Sequence, residues 1–160
     1  MQERITIPVD IIYTPDYDLE TWGPLEPATD GSAGYDVRSC SKETLFIGKG
    51  ETTLINLGIK IYIKDPNYCA LLLPRSGLGN KKGLVLGNLV GLVDSDYQGP
   101  VLAGAWNRNT TAPENNVEVK YGERIGQIIF VPVVHPRFNQ VSEFDTTERG
   151  ENGIGHSGVK

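Results

Sequence analysis

Arg75, Ser76 and Gly77 place a guanidinium, a hydroxyl and an unobstructed backbone N–H directly after the apolar run YCALLLP. These are the donors that hold phosphate oxygens. A plain turn with a surface arginine accounts for Pro74, Ser76 and Gly77 as well, and for this stretch alone the turn is the simpler reading. A second constellation lies in GNLVGLVDSDYQGP, Gly87 to Pro100. Its first half, with Leu89, Val90, Leu92 and Val93, reads as a buried strand; then come Asp94, Asp96 and Tyr97. Burying an unpaired carboxylate is costly. The acid is therefore either a turn residue in water or a base in a site. In a fully extended strand Asp94 and Tyr97 face opposite sides, so they serve one ligand only if the turn redirects Tyr97.

Other candidate motifs fall to their spacing. GIGHSG fits G-x-G-x-x-G, but it closes the sequence with no helix to follow, so it is no dinucleotide fingerprint. GLGNKKG lacks the Lys-Ser/Thr that ends a P-loop. His135 and His156 have no second ligand at metal spacing, and Lys81 and Lys82 read as solvated. Asn109-Thr110-Thr111 matches a glycosylation sequon, which a cytosolic chain never presents for modification.

The elements that must position these residues are short. The chain has 160 residues with 19 Gly and 10 Pro, a content of breakers that favours brief strands joined by turns. Strands are expected in RITIPVDII (edge, because of Pro8), AGYDVRSC, ETLFIG, GETTLINLGIKIYI and YCALLLP. LVLGNLVGLVDSDYQGPVLAGAWN reads as a hairpin of two strands around DSDYQG. VEVKYGERIGQIIFVPVV supplies two more. Residues 14–31 read as an irregular Pro-containing loop, and PRSGLGNKKG as a break with room for one helical turn. The fold class is all-β, a jelly-roll-like β-barrel. Net charge is −5, which argues against nucleic acid or anionic membrane as partners. With no signal-like or membrane-spanning run, a cytoplasmic location is expected, with Cys40 and Cys69 reduced.

Taken in order, SAGYDVRS, PRSGLG, GNLVGLVDSDYQGP, GERIGQIIF and RGENGIGHSG resemble the five motifs of the trimeric dUTPases, deoxyuridine triphosphate nucleotidohydrolases, most closely the bacterial type. The resemblance runs from about Ile5 to Gly158 and carries expectations with it. Residues 1–148 would form the barrel and 149–160 a flexible glycine-rich arm. Three chains would assemble with sites shared between subunits. The substrate would be dUTP, cleaved to dUMP and pyrophosphate with Mg²⁺. Asn88, with backbone groups of the stretch that includes Gly91 and Val93, would read uracil. Asp94 would activate the attacking water. Tyr97 would exclude a 2′-hydroxyl. Arg75, Ser76, Gly77 and Gln127 would hold phosphates, and Asp36 would reach Mg²⁺ through water. Arg149 and Ser157 would close over the γ-phosphate. Ile154 stands where the family carries an aromatic that stacks on the base. The loops at 14–31 and 109–116 are longer than in compact bacterial members.

Two rivals carry other expectations. A dCTP deaminase-like enzyme places a glutamate base in the strand after the hairpin, where this chain has VLAGAWN and no acid. A nucleotide-sensing trimer that binds a protein partner has only the extended loops in its favour.

Overall fold

In the computed structural model, residues 6–109 and 116–153 are described. Ten strands and two short helices follow the order β1 (Asp10–Tyr13), α1 (Leu19–Trp22), β2 (Tyr35–Arg38), β3 (Leu45–Ile47), β4 (Thr52–Tyr62), β5 (Tyr68–Pro74), α2 (Ser76–Lys81), β6 (Leu84–Leu86), β7 (Gly91–Val93), β8 (Pro100–Asn107), β9 (Val117–Val119) and β10 (Arg124–Pro132). One four-stranded sheet runs β1-β4-β8-β6, a second runs β2-β10-β5-β7, and β3 pairs with β9. Every pairing is antiparallel.

The core follows from the period of β4. Ile55, Leu57, Ile59 and Ile61 alternate along it and are all buried, as alternation in a half-buried strand requires. They pack in one cluster with Val37, Ala70, Leu72 and Ile128 of the second sheet. Each such side chain contributes roughly 1.5–3 kcal/mol relative to exposure. β4 is long because it serves two partners. Its first half pairs with β8, which rejoins it at Lys60 after a register shift beyond Asn56, and its second half pairs with β1. Gly58 occupies that bulge at φ +69, against the Cys40 sulfur. The left-handed backbone admits glycine at little cost, and the space holds no Cβ.

Three expectations change. Of the first expected strand, Arg4 and Ile5 lie outside the described residues, and the strand observed begins at Asp10, with Pro8 just before it. The loop 14–31 contains a helical turn, α1, capped by the Asp18 carboxylate, which accepts a hydrogen bond from the Thr21 N–H at 2.9 Å. The stretch around DSDYQG is not a paired hairpin, because β7 joins β5 in one sheet while β8 joins β4 and β6 in the other. The turn is thus a crossing between sheets. Strands stop at Pro132, and residues 133–153 continue without regular structure.

Both cysteines are free and buried. Burial pushes the Cys40 thiol up to about 11, with nearby Asp16 adding to it. Burial also raises Cys69, with Asp94 contributing. Thiolate is the reactive form, so native protein at pH 8 should react with a disulfide reagent only slowly, and both thiols should titrate promptly after denaturation. Fast reaction in the native state would contradict the packing.

Candidate active site

The first group of side chains forms around the end of β5. There the chain leaves the sheet at Pro74 and turns into α2, with Arg75 at the cap position. Leu78 and Gly79 are buried and anchor the helix; a Cβ at Gly79 would sit 3.3 Å from Val85. The first-turn N–H groups of a helix have no carbonyl partner within it, so Ser76 and Gly77 present theirs outward. The space beside Gly77 is open. Arg75 Nε lies 3.1 Å from the Asp36 carboxylate, whose other oxygen lies 3.5 Å from Arg124 Nη1. Arg75 Nη1 also donates to the Arg124 carbonyl at 3.3 Å. Gln127 stands opposite Asp36 in the β2–β10 register and donates to the Pro74 carbonyl at 3.2 Å. Asp36, Arg75, Ser76, Gly77 and Gln127 line one cavity of about 420 Å³, together with Lys81 and Lys82.

Positive charge dominates this groove although the whole chain is acidic. Asp36 is the one carboxylate among its lining side chains, against Arg75, Lys81 and Lys82. Lys81 and Lys82 are exposed, as the sequence suggested, and both also line the groove. Lys82 is held by Glu123 at 2.7 Å. Arg124 was missed in the sequence. A register shift between Arg124 and Gly126 breaks the alternation of β10, and this lets Arg124 and Gln127, three apart, both approach Asp36.

The second group forms at the end of β7. The Tyr97 N–H donates to the Asp94 carbonyl at 3.3 Å, closing a turn that brings both side chains to one pocket of about 230 Å³. Asn88, Gly91 and Val93 line the same pocket, with Leu72 and Leu102. Tyr97 is redirected, as sharing one ligand with Asp94 requires. Its hydroxyl donates to the Pro100 carbonyl at 3.0 Å, and its ring lies where a Cβ on Gly99 would be. The Lys64 N–H fixes the turn from outside by donating to the Ser95 carbonyl at 3.0 Å.

Asp94 is exposed, so no charge is buried at this edge. The apolar run before it is exposed as well: Leu89 is 65% and Leu92 63% accessible. The expected buried strand is a surface strand in the single chain. Leu89 also adopts a left-handed backbone, φ 62, in the turn between β6 and β7, a conformation uncommon outside glycine.

The two groups share no lining residue. Arg149 joins neither. It is exposed and donates through Nε to the Asn152 carbonyl at 3.0 Å in a local turn. Ile154 and Ser157 lie outside the described residues.

Comparison with known proteins matches the chain to a known family. The dUTPase family model covers residues 20–158. The deoxyuridine 5′-triphosphate nucleotidohydrolase of Actinobacillus pleuropneumoniae serotype 5b (strain L20) is 56% identical over 131 residues, 82% of this chain and 84% of that protein. Its counterpart in Escherichia coli O45:K1 (strain S88 / ExPEC) is 54% identical over the same length and shares of the two chains. Among solved structures, a mutant dUTPase of Staphylococcus bacteriophage 80alpha with dUpNHpp superposes with a TM-score of 0.82 at 26% identity, over 96% of this chain and 100% of that one. A mutant dUTPase from phage phi11 of S. aureus, described with a structural Mg(II) ion, shares the fold at a TM-score of 0.73 and 22% identity, over 87% of this chain and 99% of that one. The chain belongs to the dUTPase family.

Proposed function

We propose that this chain hydrolyses dUTP to dUMP and pyrophosphate, with Mg²⁺, in a homotrimer whose sites are built from more than one subunit. The observation that carries the reading is the division of labour on the surface. Donors suited to a polyphosphate gather round Asp36 and α2, while a carboxylate, an amide and an aromatic plate share a separate pocket. Hydrolysis of a triphosphate needs both functions at one substrate. Two chains that face each other supply both.

Arg75 and the first-turn N–H groups of Ser76 and Gly77 hold phosphate oxygens, and Gln127 adds an amide donor. Asn88 and backbone groups at Gly91 and Val93 read the uracil edge. Asp94 takes the proton from the attacking water. Arg149 and Ser157 come from the C-terminal segment to cover the γ-phosphate, and Ile154 covers the base with apolar area. The donor set fits Mg²⁺. That ion keeps several waters and takes one or two carboxylates plus substrate phosphates rather than an all-protein cage. Asp36 is a single, partly exposed carboxylate in the phosphate groove. No cluster of three metal-ligating side chains occurs among the described residues. When bound, the ion would neutralise charge on the phosphates.

Assembly is supported by apolar side chains that the single chain leaves in water. Leu54 and Leu102 stand exposed on β4 and β8, Leu92 on β7, and Phe138 and Phe144 in the segment after the last strand. No helix among the described residues is long and apolar enough to cross a membrane, and two buried free thiols suit the reducing cytosol proposed as its location.

The deciding experiment incubates the protein with dUTP and Mg²⁺ and resolves the products. Formation of dUMP and pyrophosphate supports the reading, whereas an intact triphosphate refutes it.

Sugar choice follows from Tyr97. The hydroxyl bond to Pro100 and the missing side chain at Gly99 hold the ring as a plate beside Asp94. Tyr97→Ala is expected to narrow the dUTP/UTP ratio of kcat/KM by about tenfold or more, within what a pocket gives against one added hydroxyl. An unchanged ratio would place selectivity elsewhere.

A further inference from the structure

The loop between β1 and β2 contributes nothing to the phosphate groove directly, yet it is built with care. Tyr13, Tyr17, Trp22 and Tyr121 form a continuous run of tilted and edge-to-face ring contacts, with centroids 4.6, 5.1 and 5.0 Å apart in that order. The Tyr121 hydroxyl donates to the Asp16 carbonyl at 2.8 Å, and the Leu25 N–H donates to the Tyr13 hydroxyl at 2.8 Å. Gly122, at φ +78, lets the Trp22 ring close in: a Cβ there would lie 2.9 Å from it. A charge lies against one of these rings. The Arg38 guanidinium lies over the Trp22 ring, 5.4 Å from its centroid, and Nη1 donates to the Gly122 carbonyl at 2.8 Å.

Arg38 stands two residues after Asp36 on β2. Side chains at i and i+2 of a strand leave the same face, and a guanidinium on its long stem can reach a carboxylate at that spacing. Arg38 is also the register partner of Arg124, and the cavity that both arginines line holds two carboxylates, Asp36 and Glu26. The structure resolves the contest in one way. Arg124 and Arg75 hold Asp36, and Arg38 is turned onto the indole. Trp22, Asp36, Arg38 and Arg124 all line one small cavity of about 150 Å³, so Arg38 shares open space with the acid while the indole and the Gly122 carbonyl hold it.

We propose that Trp22 is a positioning residue for the phosphate groove: by holding Arg38 on its ring face, it keeps Asp36 available to Arg75 and Arg124. The negative face of an indole is the best aromatic partner for a cation. Without it Arg38 pairs with Asp36, Arg75 loses the carboxylate that orients it, and the grip on phosphate loosens. The uracil pocket shares no residue with this network. The inference rests on the reading of the groove as the phosphate site.

The test uses the full chain and four variants: Trp22→Ala, Trp22→Phe, Arg38→Met, and Trp22→Ala combined with Arg38→Met. Inhibition by pyrophosphate and by deoxyuridine is measured with kcat and KM for dUTP, and thermal unfolding checks folding. Trp22→Ala should weaken pyrophosphate inhibition and raise KM by about threefold to tenfold, the range a lost cation–π contact supports. Deoxyuridine inhibition should hold. Trp22→Phe should stay near wild type, and Arg38→Met in the alanine background should restore pyrophosphate binding, because the competitor for Asp36 is gone. Unchanged pyrophosphate inhibition in Trp22→Ala overturns the proposal. So does a double variant no better than the single one, or a parallel loss of deoxyuridine binding, which marks general loosening. A wild type that turns over dUTP without any sensitivity to pyrophosphate refutes the inference alone, and one that neither turns over dUTP nor binds pyrophosphate refutes the functional reading beneath it.

Discussion

Asp94→Asn is expected to lower kcat by about two to four orders of magnitude, the usual contribution of a general base, with KM within a few-fold. Asparagine keeps the size and the hydrogen-bonding reach of aspartate and loses only the proton-accepting charge. The backbone at this position should be indifferent to the change, because the turn is closed by the Asp94 carbonyl and the Tyr97 N–H. The side chain is exposed, so removing its charge leaves no buried partner unsatisfied, and unfolding temperature should not move. One secondary shift is expected. Asp94 helps to hold the Cys69 thiol up, behind burial as the main cause, so that thiol should become slightly more acidic in the variant. Steady-state pyrophosphate release and thermal unfolding measure the loss of turnover and the unchanged fold, and the pH dependence of thiol reactivity reads the shift at Cys69. A kcat near wild type would remove Asp94 from the chemistry.

The strands were legible because their patterns are local. IKIY alternates, and YCALLLP is a continuous apolar run, and both lie in the strands the sequence suggests. The motif residues were legible as a set through their resemblance to a family, but their physical grouping was not. Two features hid it. Asp94 and Tyr97 look opposed in an extended strand, and only the turn that closes at 3.3 Å brings them together. Arg124 and Gln127 look opposed on β10, and only the bulge before Gly126 aligns them with Asp36. Both are interruptions of period two, which alternation cannot forecast. The reading of Leu89, Val90 and Leu92 as a buried strand failed for a different reason. Apolar content signals that a surface will be covered, without saying whether the cover comes from the same chain.

The same ambiguity at the C-terminus yields the other large effect. Deleting residues 149–160 should leave a folded barrel with unchanged assembly, while kcat/KM for dUTP falls by about two to three orders of magnitude, the cost of losing fixed donors to a charged transition state. The fold should survive because the last strand ends at Pro132, and Arg149 makes only a local turn through the Asn152 carbonyl. Among the described residues, the core cluster draws on none past Phe130. Assembly should survive because Phe138 and Phe144, each at least 90% accessible in the single chain, remain in the shortened protein. Activity should not, since Arg149 and Ser157 are the groups proposed to cover the γ-phosphate. Cutting earlier, before Val133, separates the two roles: it also removes both phenylalanines and should weaken the trimer. Sedimentation velocity, circular dichroism and steady-state kinetics on the two truncations decide the matter. Full activity in the shorter deletion would place the lid elsewhere, and a monomer from that deletion would show that the last twelve residues hold subunits together instead of closing over substrate.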